Sequence, residues 1–236
     1  MISSLHLLPV SLGEAAIERW LPADARQQAS VLKTYIAENA KTARALLIGC
    51  ADEAAFAGLP AVRLGPLDDD ASAALLDRLT ETTGDIGLVS EAGCPAVADP
   101  GARVVLLAHQ LGIQVVPWVG PSSILLGLMA SGLDGQRFAF HGYAPVDPAE
   151  RAKQLRAWEQ YSAKHNQTQL LIETPYRNAA MFATLLASLK GDTKLCVARA
   201  LTTADEWIVT RTIADWKKQP APQLDKMPTL FLYLAR

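Results

Sequence analysis

Gly87-Leu-Val-Ser-Glu-Ala-Gly-Cys-Pro-Ala-Val-Ala-Asp-Pro-Gly101 is the stretch whose reading decides the fold. An apolar strand ends at Ser90. A turn of small residues follows through Glu91, Ala92, Gly93 and Pro95. Asp99-Pro100-Gly101 then opens a helix, with Asp99 as its N-cap and Pro100 at its first position. Open α/β sheets place ligands at the carboxyl end of a strand followed by a glycine turn. Small residues there let a ligand approach the backbone closely. The plainer alternative is a well-capped strand-to-helix connection, and this stretch alone leaves both open. A second stretch repeats the pattern: Val116-Pro-Trp-Val-Gly-Pro-Ser-Ser-Ile124 ends a strand in a Gly-Pro turn and opens a helix. Ser122 and Ser123 there serve either as helix caps or as holders of a carboxylate.

Outward from these stretches, short apolar runs alternate with Ala- and Leu-rich helical stretches. Strands are expected at 4–8, 61–64, 86–90, 114–117, 138–143, 169–173, 194–198, 206–212 and 229–234. Helices are expected at 13–20, 27–36, 40–46, 71–82, 102–111, 123–130, 149–163 and 178–189. This alternation predicts an α/β fold with much parallel pairing, and a more mixed second half. Pro117, Gly120 and Pro121 punctuate the chain and predict a domain boundary near 119–122. Leu133-Asp-Gly-Gln136 reads as a turn, and Asp147-Pro148 as a helix entry.

The 236 residues carry 22 Lys plus Arg and 24 Asp plus Glu, a net charge of −2, with 50% apolar residues. Such a composition is globular and excludes disordered and collagen-like chains. It gives no overall electrostatic signature for nucleic acid, so RNA binding would need a local basic patch. No apolar run reaches the ~20 residues of a membrane span, and the first residues lack a secretory pattern. Cys50, Cys94 and Cys196 are few and scattered, which predicts a reducing compartment and a cytoplasmic protein without a disulfide framework. No GxGxxG follows a strand, and there is no GxxxxGK[ST], GxSxG, HExxH or CxxC. A bound metal is therefore not expected.

The order of the motifs resembles the tetrapyrrole methylase superfamily of S-adenosylmethionine-dependent methyltransferases. It is most similar to the branch containing the bacterial 16S ribosomal RNA ribose 2′-O-methyltransferase. The two stretches above are followed by Ala130-Ser-Gly-Leu133, Arg137-Phe-Ala-Phe-His-Gly-Tyr-Ala-Pro145, Leu171-Ile-Glu-Thr-Pro-Tyr-Arg177 and Val197-Ala-Arg-Ala-Leu-Thr202. These look like the family's A-G-L, R-F-x-F-x-G-F-x-P, E-[ST]-x-x-R and A-R-E-L-T segments. The resemblance implies a homodimer of chains with two α/β domains and a cofactor cleft between the domains, not a Rossmann methyltransferase. It implies S-adenosyl-L-methionine as cofactor and ribosomal RNA, or the small ribosomal subunit, as partner.

By matching positions, the cofactor is expected against Pro9, Ser11, Ser90, Glu91, Ala92, Gly93 and Cys94, and against Ser122, Ser123 and Ile124. From the second domain the resemblance adds Thr174, Ala198, Leu201, Pro228 and Thr229. Glu38, Lys41 and Arg177 are the candidate catalytic residues. A carboxylate or a neutral lysine can take a proton from a hydroxyl acceptor, and Arg177 can contact a phosphate. The plainer alternatives are a solvated Glu38–Lys41 pair and an interdomain ion pair of Arg177. Glu173 is also placed to orient Arg177.

Three departures from the family pattern stand out. Pro9-Val10-Ser11-Leu12-Gly13-Glu14 replaces P-T-P-I-G-N. Glu38-Asn39-Ala40-Lys41 replaces E-D-T-R, and Glu91 replaces the aspartate of S-D-A-G. The first two touch the expected acceptor side, and lysine does not reproduce a bidentate guanidinium contact to phosphate. Three functions follow: a ribose-modifying RNA methyltransferase, a methyltransferase for a tetrapyrrole or other small acceptor, or an inactive cofactor-binding paralogue. A basic stripe of Lys41, Arg44, Arg151, Lys153 and Arg156 would favour RNA.

Overall fold

The computed structural model describes residues 4–50 and 84–236. The strand expected at 61–64 and the helix expected at 71–82 lie outside them. The chain divides into two compact units, Met1–Ser122 and Ser123–Arg236. No helix of the described residues is long and apolar enough to cross a membrane.

The first unit is a parallel sheet of β1 (Ser4–Leu7), β2 (Thr34–Ala37), β3 (Ile86–Val89) and β4 (Gln114–Pro117), in the order β2-β3-β1-β4. Its helices are α1 (Ala23–Val31), α2 (Ala40–Cys50) and α3 (Ala102–Gln110). Leu8, Tyr35, Ala37 and Val89 pack with Ala25 and Ala29 of α1 and Leu46 and Leu47 of α2. Leu5, Ile36, Ile86 and Leu88 pack instead with Val104 and Ala108 of α3. The two clusters cover opposite faces, so β3 is buried along its whole length. A near-continuous apolar strand suits that position, and each large side chain buried there contributes about 2 kcal/mol.

Two expected helices change form. In place of a helix at 27–36, α1 ends at Val31 and β2 begins at Thr34. Tyr35 fixes the new strand from outside its own sequence. It pairs in register with Gly87, its hydroxyl donates to Ala29 O, and its ring covers Gly87. The helix expected at 13–20 shrinks to a 3-10 turn at Ile17–Arg19. Ser11 hydrogen-bonds the backbone of Gly13 on both its N–H and its C=O, and such a local turn competes with helix initiation.

The second unit is a mixed sheet of β5 (Phe138–Tyr143), β6 (Thr168–Ile172), β7 (Lys194–Arg199), β8 (Trp207–Thr212) and β9 (Thr229–Leu234), in the order β5-β6-β9-β7-β8. β9 runs antiparallel to both of its neighbours, β6 and β7. Its helices are α4 (Ser123–Ser131), α5 (Pro148–His165), α6 (Asn178–Ser188) and the short α7 (Ile213–Trp216). Leu171, Val197, Phe231 and Tyr233 meet Leu155 of α5, Met181 and Leu185 of α6 and Trp216 of α7. On the opposite face Gly127 of α4 lies against Leu230. Cys196, fully buried, sits in β7 between β9 and β8.

Caps and turns follow their chemistry. Asp147 accepts from Ala149 N and Glu150 N at 2.9 Å each, with Pro148 in the first turn. Asp134 accepts from Gln136 N at 2.8 Å. Asp99 departs from expectation, because the N-cap of α3 is Gly101 at φ 129°, with no side-chain cap. Ala96 and Ala98 take positive φ, and Asp99 hydrogen-bonds Ser90 instead.

Candidate functional site

In the first unit, parallel pairing brings every strand's carboxyl end to one edge, so the loops after β1, β2, β3 and β4 gather there. Val10 and Gly93 exchange backbone hydrogen bonds at 2.9 and 3.0 Å, tying the β1 and β3 loops together. Gly93 has φ +71°. The β4 loop comes closest at Gly120, where an added Cβ would lie 2.3 Å from Pro9 Cβ. Cys94 Sγ lies 3.4 Å from Pro121 O. Thus Pro9, Ser11, Ser90, Glu91, Ala92, Gly93, Cys94 and Ser122 stand on three adjoining loops of one unit.

The β2 loop adds the candidate proton acceptor. Glu38 Oε2 accepts from Glu91 N at 3.3 Å. Burial raises the Glu38 pKa above the ordinary carboxylate value; the Glu91 N–H opposes this, and the nearby Asp99 and Glu91 charges add to it. Asp99 is raised in the same way, first by burial, with its Ser90 hydrogen bond opposing. A carboxyl shifted upward is a better base at neutral pH. Lys41 is exposed on the first turn of α2. No close ion pair joins Glu38 to Lys41 among the described residues.

Asn39 explains two departures from the family pattern at once. Its Oδ1 accepts from Lys41 N at 2.9 Å at the start of α2, while its Nδ2 donates to Glu91 Oε1 at 2.8 Å. An aspartate at 39 would cap equally well but would face Glu91 with a like charge. The amide at 39 and the longer acid at 91 are partners.

The second unit collects its loops differently. β6 and β7 both run antiparallel to β9, so their carboxyl ends flank its start: Ile172 pairs with Leu230, and Arg199 with Thr229. Lys226 N donates to Pro175 O, Asn178 Nδ2 to Met227 O and Ala200 N to Pro228 O. Thr174, Leu201 and Pro228 therefore lie on one connected loop cluster, with Ala198 and Thr229 at the adjoining ends of β7 and β9. Ser123 and Ile124 stand half-buried in the first turn of α4. Arg177 is held within this unit, where its Nη2 and Nε contact Glu173 Oε1 at 2.6 and 3.0 Å. Its partner among the described residues is Glu173 of the same unit.

Sequence reasoning missed the strained residues here. Ala200 and Thr202 take positive φ, as Ala96 and Ala98 do in the first unit. Side chains other than glycine's hold such conformations only where the surroundings impose them, commonly at functional loops. Asn178, wholly buried, was also missed. Its place directly after the E-[ST]-x-x-R segment was the available signal. Arg199, whose guanidinium lies 5.4 Å from the Trp207 ring centre, also bonds Gln223 O. Of the anticipated basic stripe, Arg44 is exposed and Arg151 is buried.

Comparison with known proteins bears on both units. A Mesorhizobium japonicum protein named ribosomal RNA small subunit methyltransferase I is 38% identical over 128 residues, covering 54% of this chain and 42% of that protein. Its Vibrio cholerae namesake is 34% identical over 141 residues, covering 60% of this chain and 47% of the relative. The matches thus span about half the length of these relatives. The crystal structure of the methyltransferase CobJ superposes with a TM-score of 0.62 at 16% identity, covering 99% of this chain and 93% of that one, a likeness of fold. Residues 13–217 match the Tetrapyrrole (Corrin/Porphyrin) Methylases, a stretch that takes in the carboxylate edge of the first unit and the Glu173–Arg177 loop of the second, and the chain belongs to that family.

Proposed function

We propose that the chain is an S-adenosylmethionine-dependent methyltransferase that acts on ribosomal RNA at a ribose 2′-hydroxyl. The observation that carries this reading is Glu38, a carboxyl with a raised pKa on the strand-end edge where the Ser90–Cys94 turn also lies. The relatives' shared name supports RNA as the acceptor. The reading includes a cytoplasmic homodimer with domains 1–118 and 119–236.

The residues fit the cofactor. Glu173 Oε2, Asn178 Oδ1 and Thr202 Oγ1 are buried without a hydrogen-bond partner. Each such atom costs about 1–3 kcal/mol until something satisfies it, and a polar ligand on the loops after β6 and β7 would do so. Glycine at 120 lets Pro9 pack against the β4 loop, and Gly93 turns the β3 loop at positive φ, so the two together shape this edge. Pro9, Ser11, Ser90–Cys94 and Ser122–Ile124 would hold one part of the ligand, and Thr174, Ala198, Leu201, Pro228 and Thr229 another. When bound, the cofactor supplies an electrophilic methyl group.

This chain's residues then do two things. They hold the acceptor oxygen in line, from which most of the barrier reduction comes. Glu38 would take the proton from the ribose hydroxyl as that oxygen accepts the methyl group the cofactor would supply, leaving a methoxy ribose. Lys41 and Arg177 supply positive charge toward the acceptor's phosphates, with Glu173 orienting Arg177.

Calorimetric titration with S-adenosylmethionine and S-adenosylhomocysteine is the first test. Dissociation constants near micromolar, about −8 kcal/mol, are expected. Tritiated methyl should then pass to small-subunit RNA and not to a tetrapyrrole. Folded protein that binds neither compound would remove the cofactor assignment, and transfer to the tetrapyrrole alone would replace the acceptor.

A further inference from the structure

A cleft of about 590 Å³ lies in the first unit between the segment after β1 and one side of α2. That volume falls in the ~300–1,000 Å³ range of small-ligand sites. Its two ends differ in chemistry. Ser11, Lys41, Thr42 and Glu91 line one end, at the start of α2. Ile17, Trp20 and Leu46 line the other, and Ala45 and Gly49 form its side along the helix. Lys41 and Gly49 are eight residues apart, so the cleft runs about 12 Å along α2. Trp20 is anchored, its Nε1–H pointing to Ala15 O at 3.4 Å. Gly49 keeps the wall low, since a Cβ there would lie 3.1 Å from Ile17 Cδ1.

We infer that this cleft receives the acceptor nucleotide, splayed out of a single-stranded stretch of RNA. The inference rests on the RNA-methyltransferase reading and names where its acceptor is held. Single-stranded RNA is recognised by bases turned out against aromatic and apolar side chains, with sugar and phosphate read by polar groups. The cleft presents that sequence of surfaces in order. Ile17, Trp20 and Leu46 take the base. Lys41 takes a phosphate, and α2 carries Lys41 and Arg44 with no acidic residue to oppose them. Glu91, the carboxylate of the lining, faces the ribose hydroxyls while Asn39 holds its other side. Because Glu91 N is bonded to Glu38 Oε2, a ribose at this end lies beside the proposed proton acceptor. The substitution of lysine for the family's arginine falls at this mouth, where a single point charge suits one phosphate.

Ala45 is exposed on α2 and faces the cleft, so Ala45→Phe fills it without disturbing the core. Thr42→Tyr fills it from the polar end. The test measures methyl transfer to small-subunit RNA and S-adenosylhomocysteine binding for wild type and both variants. Each variant should raise KM for RNA at least tenfold while S-adenosylhomocysteine affinity stays within twofold. Thermal unfolding identifies a variant that fails to fold, and the other then decides. Wild-type transfer with KM unchanged in a folded variant overturns this inference alone. A wild type that binds S-adenosylhomocysteine but transfers nothing to RNA overturns the functional reading and this inference together.

Discussion

The two units reach the same end, a cluster of strand-end loops, by opposite topologies. The parallel sheet of the first unit delivers all its carboxyl ends to one edge without further instruction. The mixed sheet of the second must interleave β9 between β6 and β7 and then tie the loops with backbone bonds from Ala200, Lys226 and the Asn178 side chain. The first unit therefore depends on close backbone approach, and the second on buried polar partners. Glycine is the irreplaceable residue of one, and the Glu173–Arg177 pair that of the other.

Substitutions sharpen that contrast. Gly87→Ala should have the largest effect. Its Cβ would fall 2.4 Å from the Tyr35 ring, which is fully buried and cannot turn aside. A loss of about 3 kcal/mol is expected in denaturant unfolding, at the upper end for overpacking. Arg177→Met should cost about 2 kcal/mol, because it leaves a wholly buried Glu173 carboxylate without its cation. That value is below the fully buried case, since Arg177 itself is about one-third exposed. The loss should appear in the emission of Trp158, Trp207 and Trp216 and not in that of Trp20 and Trp118. Equal effects on both sets would dissolve the distinction between the units.

Asn39→Asp should cost about 1 kcal/mol at neutral pH, by trading a donor to Glu91 for a like charge. Glu91→Ala should abolish the deficit in a double-mutant cycle. Gly127→Ala should cost less than about 1 kcal/mol. Its Cβ meets Leu230 Cδ2 at 2.5 Å, but that neighbour is the end of a flexible side chain, and alanine favours the helix. A loss there as large as that of Gly87→Ala would show that the second unit also rests on close approach.

The smallest effect is a pH slope. Burial lowers the pKa of His141 below 6.5, although its hydrogen bond to Gln169 opposes this. As pH falls from about 6.5, the unfolded chain binds a proton that the folded one does not, so stability declines until the folded value is passed. His141→Phe, which keeps a ring against Trp158, should flatten that part of the pH–stability curve.

Strand ends punctuated by Gly and Pro were legible in the sequence. So were the cap at Asp147 and the turn at Asp134, because each rests on neighbours a few residues away. β2 was not legible, because its decisive contact is between Tyr35 and Gly87. The role of Asp99 was misread because the positive φ of Ala96 and Ala98 leaves no mark in residue type. At the candidate site, Glu38 and Glu91 could be named from their segments. Their link through Asn39 and the backbone of Glu91 needed the parallel register of β2 and β3.

Cys196 turns the second sheet into a clock. Its thiol is sealed between strands, and burial raises its pKa despite a hydrogen bond with Thr210. An alkylating reagent must therefore wait for β7 to open. Cys50 and Cys94 are half-buried in the first unit. The order in which a pulse of reagent marks the three thiols would time each unit's breathing separately, in the unmodified chain and without an added probe.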